Sequence, residues 1–144
     1  MNFPATPALA NAIPVMETER LVMRAFRQDD FPAYADFYAD ASQSSFIGGP
    51  TDRIDAWRRL AGMNGHWLLR GFGPWALEEK SSQQFIGWCG LWRPEGWPEN
   101  ELLYSLFPQA RGKGLVTEAA TAARNFAYKE LGWMTLCSLI DPRN

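Results

Sequence analysis

The sequence has few of the residues that build disulfide-linked or metal-bound scaffolds. Its 144 residues include two cysteines, Cys89 and Cys137, and one histidine, His66. Both cysteines lie in apolar runs without a Cys or His partner at ligand spacing, so we expect no zinc site. Free thiols in a reducing cytoplasm are expected rather than a secreted framework, with a Cys89–Cys137 disulfide as the alternative. For His66, which has no Ser or Cys partner nearby, we expect a packing or surface role.

The sequence also lacks a strong charge of either sign and any long apolar run. The 14 Lys and Arg against 16 Asp and Glu give a formal net charge of -2, which argues against a general nucleic-acid-binding surface. No segment approaches the roughly 20 apolar residues of a membrane helix. Residues 1–16 are uncharged, lack a basic start and are interrupted by Pro4, Pro7 and Pro14. We therefore expect a loose arm over 1–16 and a cytoplasmic protein that binds neither membrane nor nucleic acid.

What is present is enough apolar material for one domain. Hydrophobic residues make up 47% of the chain, and aromatic residues 14%, with seven tryptophans. A chain of this length buries a self-sufficient core, so we expect one domain over residues 17–144. Trp88 and Trp92 alternate on one face of a predicted strand and are expected to pack in the core. Trp97 lies in a predicted turn and is expected to be exposed, where it could contact a substrate.

Hydrophobic periodicity predicts an ordered alternation of strands and helices. The predicted strands are 19–26, 75–79, 84–92, 101–107 and 133–140, and the predicted helices are 31–40, 54–68 and 114–131. An acidic residue, Asp29 or Asp30, precedes the first helix, and Thr51 or Asp52 is the expected cap of the second. Gly62 and Gly65 predict a break in that second helix. The three middle strands form an antiparallel meander, with 84–92 at its centre.

The loop between strand 101–107 and helix 114–131 carries the most specific chemical signal. No Ser, Thr, Asp or Asn caps that helix, and Gly112 and Gly114 allow several backbone N–H groups to converge. Uncapped N–H groups at the positive end of a helix form a phosphate site, although an ordinary glycine turn is the alternative. A Rossmann loop is excluded because Thr117 stands where the third glycine should be, and the spacing also fails the Walker pattern.

This loop resembles the cofactor loop of the GNAT acetyltransferases. Residues 109–114, QARGKG, match the family signature Q/R-x-x-G-x-G/A. The opening ETERLVMR (17–24) and the phrases ELLYSL (101–106) and GLVTEA (114–119) resemble the branch that includes the ribosomal-protein N-terminal acetyltransferases. The closing IDPRN resembles the family's I-x-P-x-N, so the resemblance extends over residues 17–144 in the family's order.

The resemblance implies an α+β fold with a mixed, mainly antiparallel sheet flanked by helices. Family members continue beyond I-x-P-x-N with another helix and two strands, so we expect a C-terminally truncated member. The implied activity is transfer of an acetyl group from acetyl-CoA to a primary amine, on a protein N-terminus or a small molecule, by direct attack. The alternative is a non-catalytic module that binds CoA or a partner. The sequence is compatible with a homodimer.

The resemblance also assigns residues to the cofactor. The CoA pyrophosphate is expected on the loop N–H groups, and the pantetheine arm along the preceding strand, which splays from its neighbour at a bulge. Asn144, after the last strand, is expected to contact pantetheine as well. The cofactor-binding residues implied are Ser105, Leu106, Phe107, Gln109, Arg111, Gly112, Lys113, Gly114, Leu115 and Asn144.

The catalytic candidates lie on the strand 101–107. Glu101 is the candidate base that takes the proton of the amine, with a solvated strand-start carboxylate as the alternative. Tyr104 is a candidate hydrogen-bond donor, with a core position as the alternative. A backbone N–H near Leu106 or Phe107 is expected to stabilise the oxyanion. The acidic stretch 95–101 is expected either to attract a cationic amine or to be a solvated loop.

Overall fold

Among the described residues, a five-stranded antiparallel sheet forms the centre of the fold. The computed structural model describes residues 12–138, and the strands occur in the sheet in chain order. They are β1 (Met16–Glu17), β2 (Leu21–Arg24), β3 (Pro74–Glu79), β4 (Gln84–Trp92) and β5 (Glu101–Leu106). The longest strand pairings are those of β3 with β4 and of β4 with β5. They form the predicted meander, in which β4 lies between β3 and β5.

Helices cover both faces of this sheet. They are α1 (Phe31–Ala39), α2 (Ala41–Ser44), α3 (Arg53–Arg70) and α4 (Leu115–Lys129), with short 3-10 turns at Gln28–Asp30 and Pro108–Ala110. The α+β class predicted from the sequence is confirmed.

Two hydrophobic clusters separate the sheet from the helices. One lies under α1 and α3, where Trp88 of β4 packs against Tyr34 and Phe37 with ring centroids 5.0 and 5.3 Å apart. The other lies under α4, where the helix presents Leu115, Ala119 and Ala123 to the sheet. Small alanines at helical spacing let α4 approach the strands closely, which places its N-terminus beside the end of β5.

The second long helix differs from the prediction because it is continuous. Gly62 and Gly65 lie inside α3, and no atom lies within 4 Å of the position that a Cβ would take on either. Each glycine weakens the helix by about 1 kcal/mol relative to Ala. Burial of Leu60, Met63 and Trp67 on one side of the helix offsets that cost. Asp52 caps the helix by accepting from the Asp55 N–H at 2.8 Å.

The last predicted strand does not form over its described part. Residues 133–138 contain one isolated parallel bridge, between Cys137 and Glu101, and the rest of the predicted strand lies outside the described residues. The Trp133 N–H instead donates to the Ala127 carbonyl at 3.0 Å, and its ring packs edge-on against Phe72. These contacts hold Trp133 against the end of α4, and the chain reaches the start of β5 only at Cys137 and Ser138.

The segment expected to be a loose arm is packed in its final part. Ile13 is 1% exposed in the cluster under α4, and the Trp75 indole N–H donates to the Pro14 carbonyl at 2.8 Å. Met16 and Glu17 then form β1 against β2. Within residues 12–138 no helix is long and apolar enough to cross a membrane. Cys89 and Cys137 are both free thiols, so the alternative of a disulfide between them is wrong.

Candidate active site

The loop between β5 and α4 has the backbone geometry of an anion site. Gly112 and Gly114 have φ angles of 78° and 77°, in the left-handed region that favours glycine. Gly114 is the N-cap of α4, and no side chain caps the helix there. The Glu118 N–H bonds back to the Gly114 carbonyl at 3.2 Å, so the N–H groups before it are the ones that an α-helix leaves without intrahelical partners. Arg111 and Lys113 are exposed and add positive charge beside them.

The outer edge of β5 leads to this loop. The Leu102 N–H donates to the Cys137 carbonyl at 2.7 Å, on the side away from β4. Because backbone groups alternate along a strand, Tyr104 and Leu106 direct theirs to the same outer side. The Leu106 carbonyl accepts from the Arg111 Nε at 3.1 Å. Within the described part of the chain β5 is the edge strand of the sheet, and an extended ligand can add to such an edge.

A groove of about 260 Å³ lies between this edge and α4. Its lining residues are Leu102, Tyr104, Val116, Thr117, Ala120, Thr121 and Arg124. Tyr104 is 47% exposed and lines the groove, so the core position considered for it is wrong. The groove therefore connects the open strand edge with the first turns of α4.

Glu101, at the start of β5, lies on the opposite face of the strand and is 7% exposed. The indole N–H of Trp97 donates to its Oε1 at 3.2 Å. The alternative of a solvated carboxylate at a strand start is therefore wrong, since both burial and a specific donor hold the group. Trp97 itself is 36% exposed, as predicted, so the pair lies at the boundary between the core and solvent.

Comparison with known proteins identifies the family. A family model described as an acetyltransferase (GNAT) domain matches residues 20–144. The acetyltransferase from Agrobacterium tumefaciens str. C58 is 33% identical over the whole of this chain and 80% of its own, with a TM-score of 0.85. The chain belongs to the GNAT acetyltransferases.

Two further solved structures share the fold at lower identity. The ribosomal-protein-S5-alanine acetyltransferase from Vibrio fischeri is 16% identical, with 91% of this chain and 76% of that chain covered and a TM-score of 0.68. The spermidine N-acetyltransferase from Vibrio cholerae, solved in complex with CoA and spermine, is 17% identical, with 83% and 70% covered and a TM-score of 0.65. The family model confirms the resemblance to the GNAT acetyltransferases that the sequence showed, and the likeness to a ribosomal-protein acetyltransferase is one of fold.

The predicted cofactor residues of this acetyltransferase divide into two groups. Those of the loop are together and exposed at the start of α4: Gln109, Arg111, Gly112, Lys113 and Gly114. Leu115 is 1% exposed, so only its backbone faces the loop. Asn144 lies outside the described residues.

The three predicted strand residues, Ser105, Leu106 and Phe107, direct their backbone N–H groups to different sides of β5. The Phe107 N–H already donates to the Ile86 carbonyl at 2.9 Å, and alternation turns the Ser105 backbone to β4 as well. Leu106 is therefore the one of the three whose N–H is directed outward. The register of β5 with β4 runs without a shift, and the bulge lies instead in the pairing of β3 with β4, between Leu77 and Glu78.

Sequence reasoning missed the residues that brace the loop from a distance. Arg20 donates through Nη1 to the Lys113 carbonyl at 2.8 Å and through Nε to the Glu118 carboxylate at 2.9 Å. The hydroxyl of Thr18 also donates to Glu118. The signal lies within the opening ETERLVMR, where Thr18 and Arg20 stand before β2, but nothing local indicates their partner about a hundred positions later.

His66 has the packing role that was expected. Its Nδ1 lies 2.7 Å from the Phe72 carbonyl, and its Nε2 accepts from the Arg93 N–H at 3.0 Å. The ring stacks on Trp92 with centroids 4.6 Å apart. Burial lowers the pKa of His66 below its ordinary value. The neutral ring, with its proton on Nδ1, satisfies both backbone groups and links α3 to the turn before β5.

Proposed function

We propose that this GNAT acetyltransferase transfers the acetyl group of acetyl-CoA to a primary amine by direct attack of the amine on the thioester. The observation that carries the proposal is the junction of β5 and α4. There an outward-facing strand edge ends at an uncapped helix N-terminus with two left-handed glycines. An extended amide-bearing arm that is followed by a pyrophosphate fits these two features in this order.

The residues present fit the cofactor. We propose that backbone N–H groups over residues 112–115 bind the pyrophosphate and that the outward backbone groups of Tyr104 bind the amides of pantetheine, because the outward Leu106 carbonyl already accepts from Arg111 Nε. Arg111 and Lys113 add charge attraction without a dedicated pocket, because both are exposed. Asn144 stays a predicted pantetheine contact. When bound, the cofactor supplies an acetyl thioester, which an amine attacks only in its neutral form.

Glu101 is the proposed base. A carboxylate held by the Trp97 indole at the edge of the core has a fixed orientation and partial shielding from water, and both favour proton transfer from a bound ammonium group. The outward N–H of Leu106 is the proposed oxyanion donor, since the Phe107 N–H is already bonded within the sheet. Tyr104, which lines the groove, is the proposed hydrogen-bond donor to the CoA thiolate that departs.

The proposed acceptor is a cationic amine, on a protein N-terminus or a small molecule. Glu99 and Glu101 place negative charge near the start of β5, where burial first and then these two carboxylates raise the pKa of Cys137. Glu95 is less available, because Arg70 lies 3.7 Å from its carboxylate. The free thiols Cys89 and Cys137 fit a reducing compartment, and a cytoplasmic location stays a prediction.

The test measures binding and turnover separately. Calorimetry with acetyl-CoA should give saturable binding, and a thiol-reactive dye should report CoA release when a diamine or a dipeptide with a free N-terminus is added. Glu101→Gln should lower kcat by at least about ten-fold while leaving the affinity for acetyl-CoA unchanged, as expected for a general base.

Two results would contradict the proposal. If the protein does not bind acetyl-CoA at millimolar concentration, the assignment of acetyl-CoA as its cofactor is wrong. Binding without thiol release for any amine would identify a module that holds the cofactor and does not turn it over. A dipeptide with an acetylated N-terminus is the matched control acceptor and should release no thiol.

A further inference from the structure

Arg20 reaches from the start of β2 to the loop that the proposed pyrophosphate site depends on. One guanidinium holds two points of the junction: the Lys113 carbonyl before the helix, through Nη1, and the Glu118 carboxylate in the first turn, through Nε. The planar fork of arginine suits such two-point bonding, whereas the single ammonium of lysine does not. The side chain is 44% exposed, so its burial contributes little to the core.

Glu118 receives donors from three directions. Besides the Arg20 Nε, its carboxylate accepts from the Arg20 backbone N–H at 2.8 Å and from the Thr18 hydroxyl. Burial acts to raise the pKa of Glu118, but these hydrogen bonds outweigh it and hold the pKa below its ordinary value. The carboxylate is therefore charged at neutral pH and is tied to the segment before β2.

The charge of Glu118 has the wrong sign for a group beside a pyrophosphate. A carboxylate in the first helical turn stabilises the helix through its dipole, but it also repels an anion bound at the same end. Its presence there is explained by geometry. Glu118 anchors Arg20, and Arg20 in turn holds the Lys113 carbonyl, directly before the left-handed Gly114.

We propose that Arg20 and Glu118 are positioning residues for cofactor binding, which act by fixing the backbone of residues 113–115 so that the N–H groups at the start of α4 converge on the pyrophosphate. The inference rests on the proposed function of the loop. Neither side chain touches the reacting atoms. Both act through the loop backbone, so their effect is confined to ligands that carry the pyrophosphate.

The test compares acetyl-CoA with S-acetylpantetheine, which has the same thioester and arm without the pyrophosphate and nucleotide. Calorimetry is run on the wild-type chain, Arg20→Ala, Glu118→Ala and the control Arg58→Ala. Arg58 is a matched surface arginine, bonded to Asp55 at 3.0 Å on α3. Arg20→Ala and Glu118→Ala should each bind acetyl-CoA about ten-fold more weakly, about 1.4 kcal/mol, with S-acetylpantetheine binding unchanged. Arg58→Ala should match the wild type for both ligands.

Glu118→Ala is the decisive variant, because charge alone predicts that removing a carboxylate near the pyrophosphate tightens binding. If Glu118→Ala binds acetyl-CoA as tightly as the wild type or more tightly, the inference is overturned. It is also overturned if Arg20→Ala loses as much affinity for S-acetylpantetheine as for acetyl-CoA. If Arg20→Ala does not fold, Arg20→Lys carries the same test, since it keeps the charge and cannot hold both acceptors. Failure of the proposed function is distinguishable, because the wild-type chain would then bind no acetyl-CoA.

Discussion

The Trp97 indole donates its N–H to the Glu101 carboxylate across the turn that precedes β5, at 3.2 Å. The donor is 36% exposed and the acceptor 7% exposed, so the hydrogen bond joins the solvent-facing rim to a buried group. Because Glu101 is the proposed base, its orientation depends on a residue that the reaction itself does not require.

Replacing Trp97 by Phe should lower kcat and leave cofactor affinity intact. The change keeps an aromatic ring and removes one hydrogen bond to a charged group, worth about 1.5–3 kcal/mol, so a loss of at least about ten-fold in kcat is expected. Steady-state kinetics with saturating acetyl-CoA measures it. An unchanged kcat would show that Trp97 does not orient the base.

Replacing Gly112 by Val should abolish cofactor binding without unfolding the protein. The φ of 78° is strained for a β-branched residue, at a cost of roughly 1–2 kcal/mol, although no atom lies within 4 Å of the new Cβ position. The loop is expected to relax its backbone and lose the convergence of its N–H groups. Calorimetry with acetyl-CoA and thermal unfolding report the two effects.

Gly62→Ala is the control for that experiment. This glycine also has open space around it but lies in the interior of α3, so alanine there should stabilise the protein by about 0.5–1 kcal/mol and leave acetyl-CoA binding unchanged. Wild-type affinity in Gly112→Val would refute the assignment of the loop.

Stability should fall as the pH drops through the range in which histidine titrates. Burial lowers the pKa of His66 in the folded state, so below about pH 6.5, the ordinary pKa, the unfolded chain takes up a proton that the folded chain refuses. The contribution of neutral His66 to the free energy of unfolding is complete above that pH and is lost as the pH falls towards the pKa of His66 in the folded state. Urea unfolding between pH 8 and pH 5 should show a steeper loss for the wild type than for His66→Gln, and parallel curves would contradict the argument.

Removing Asp30 should destabilise the fold strongly. Asp30 and Arg24 form a buried two-point ion pair with both distances at 2.9 Å, and Asp30 also accepts from the Arg27 N–H at 2.8 Å. Asp30→Ala leaves the buried Arg24 guanidinium with the Glu78 carboxylate and the Ala25 carbonyl, so we expect a loss of about 3 kcal/mol in the free energy of unfolding. Asp29→Ala, in the same turn but exposed, should change it by less than about 0.5 kcal/mol.

Much of the architecture follows from local patterns in the sequence. Periodicity predicted β3, β4, β5 and α4 within one or two residues, and Asp52 was one of two expected caps for α3. The uncapped start of α4 was also predicted correctly, because the sequence before it contains no capping residue. Such features depend on neighbours within one turn or one strand, which is the range over which a pattern carries information.

The remaining features depend on contacts between distant segments. Gly62 and Gly65 predicted a break, yet packing of Trp67 and Leu60 keeps α3 continuous. The segment 133–138 has the composition of a strand, but Trp133 packs against Phe72, and only Cys137 forms a bridge to β5. The brace of Arg20 on Glu118 joins residues 98 positions apart, and no local pattern encodes that pairing.

The hydrogen bond from Thr18 to Glu118 spans 100 positions of the chain, and this span has a consequence for the order of assembly. Contacts of such separation form only after the intervening chain has been made and its ends brought together. A nascent chain on the ribosome therefore acquires its braced cofactor loop only after the first turn of α4, which contains Glu118, has emerged. The same hydrogen bond couples the loop to a distant part of the chain. If the segment before β2 frays, the start of α4 loses its brace as well.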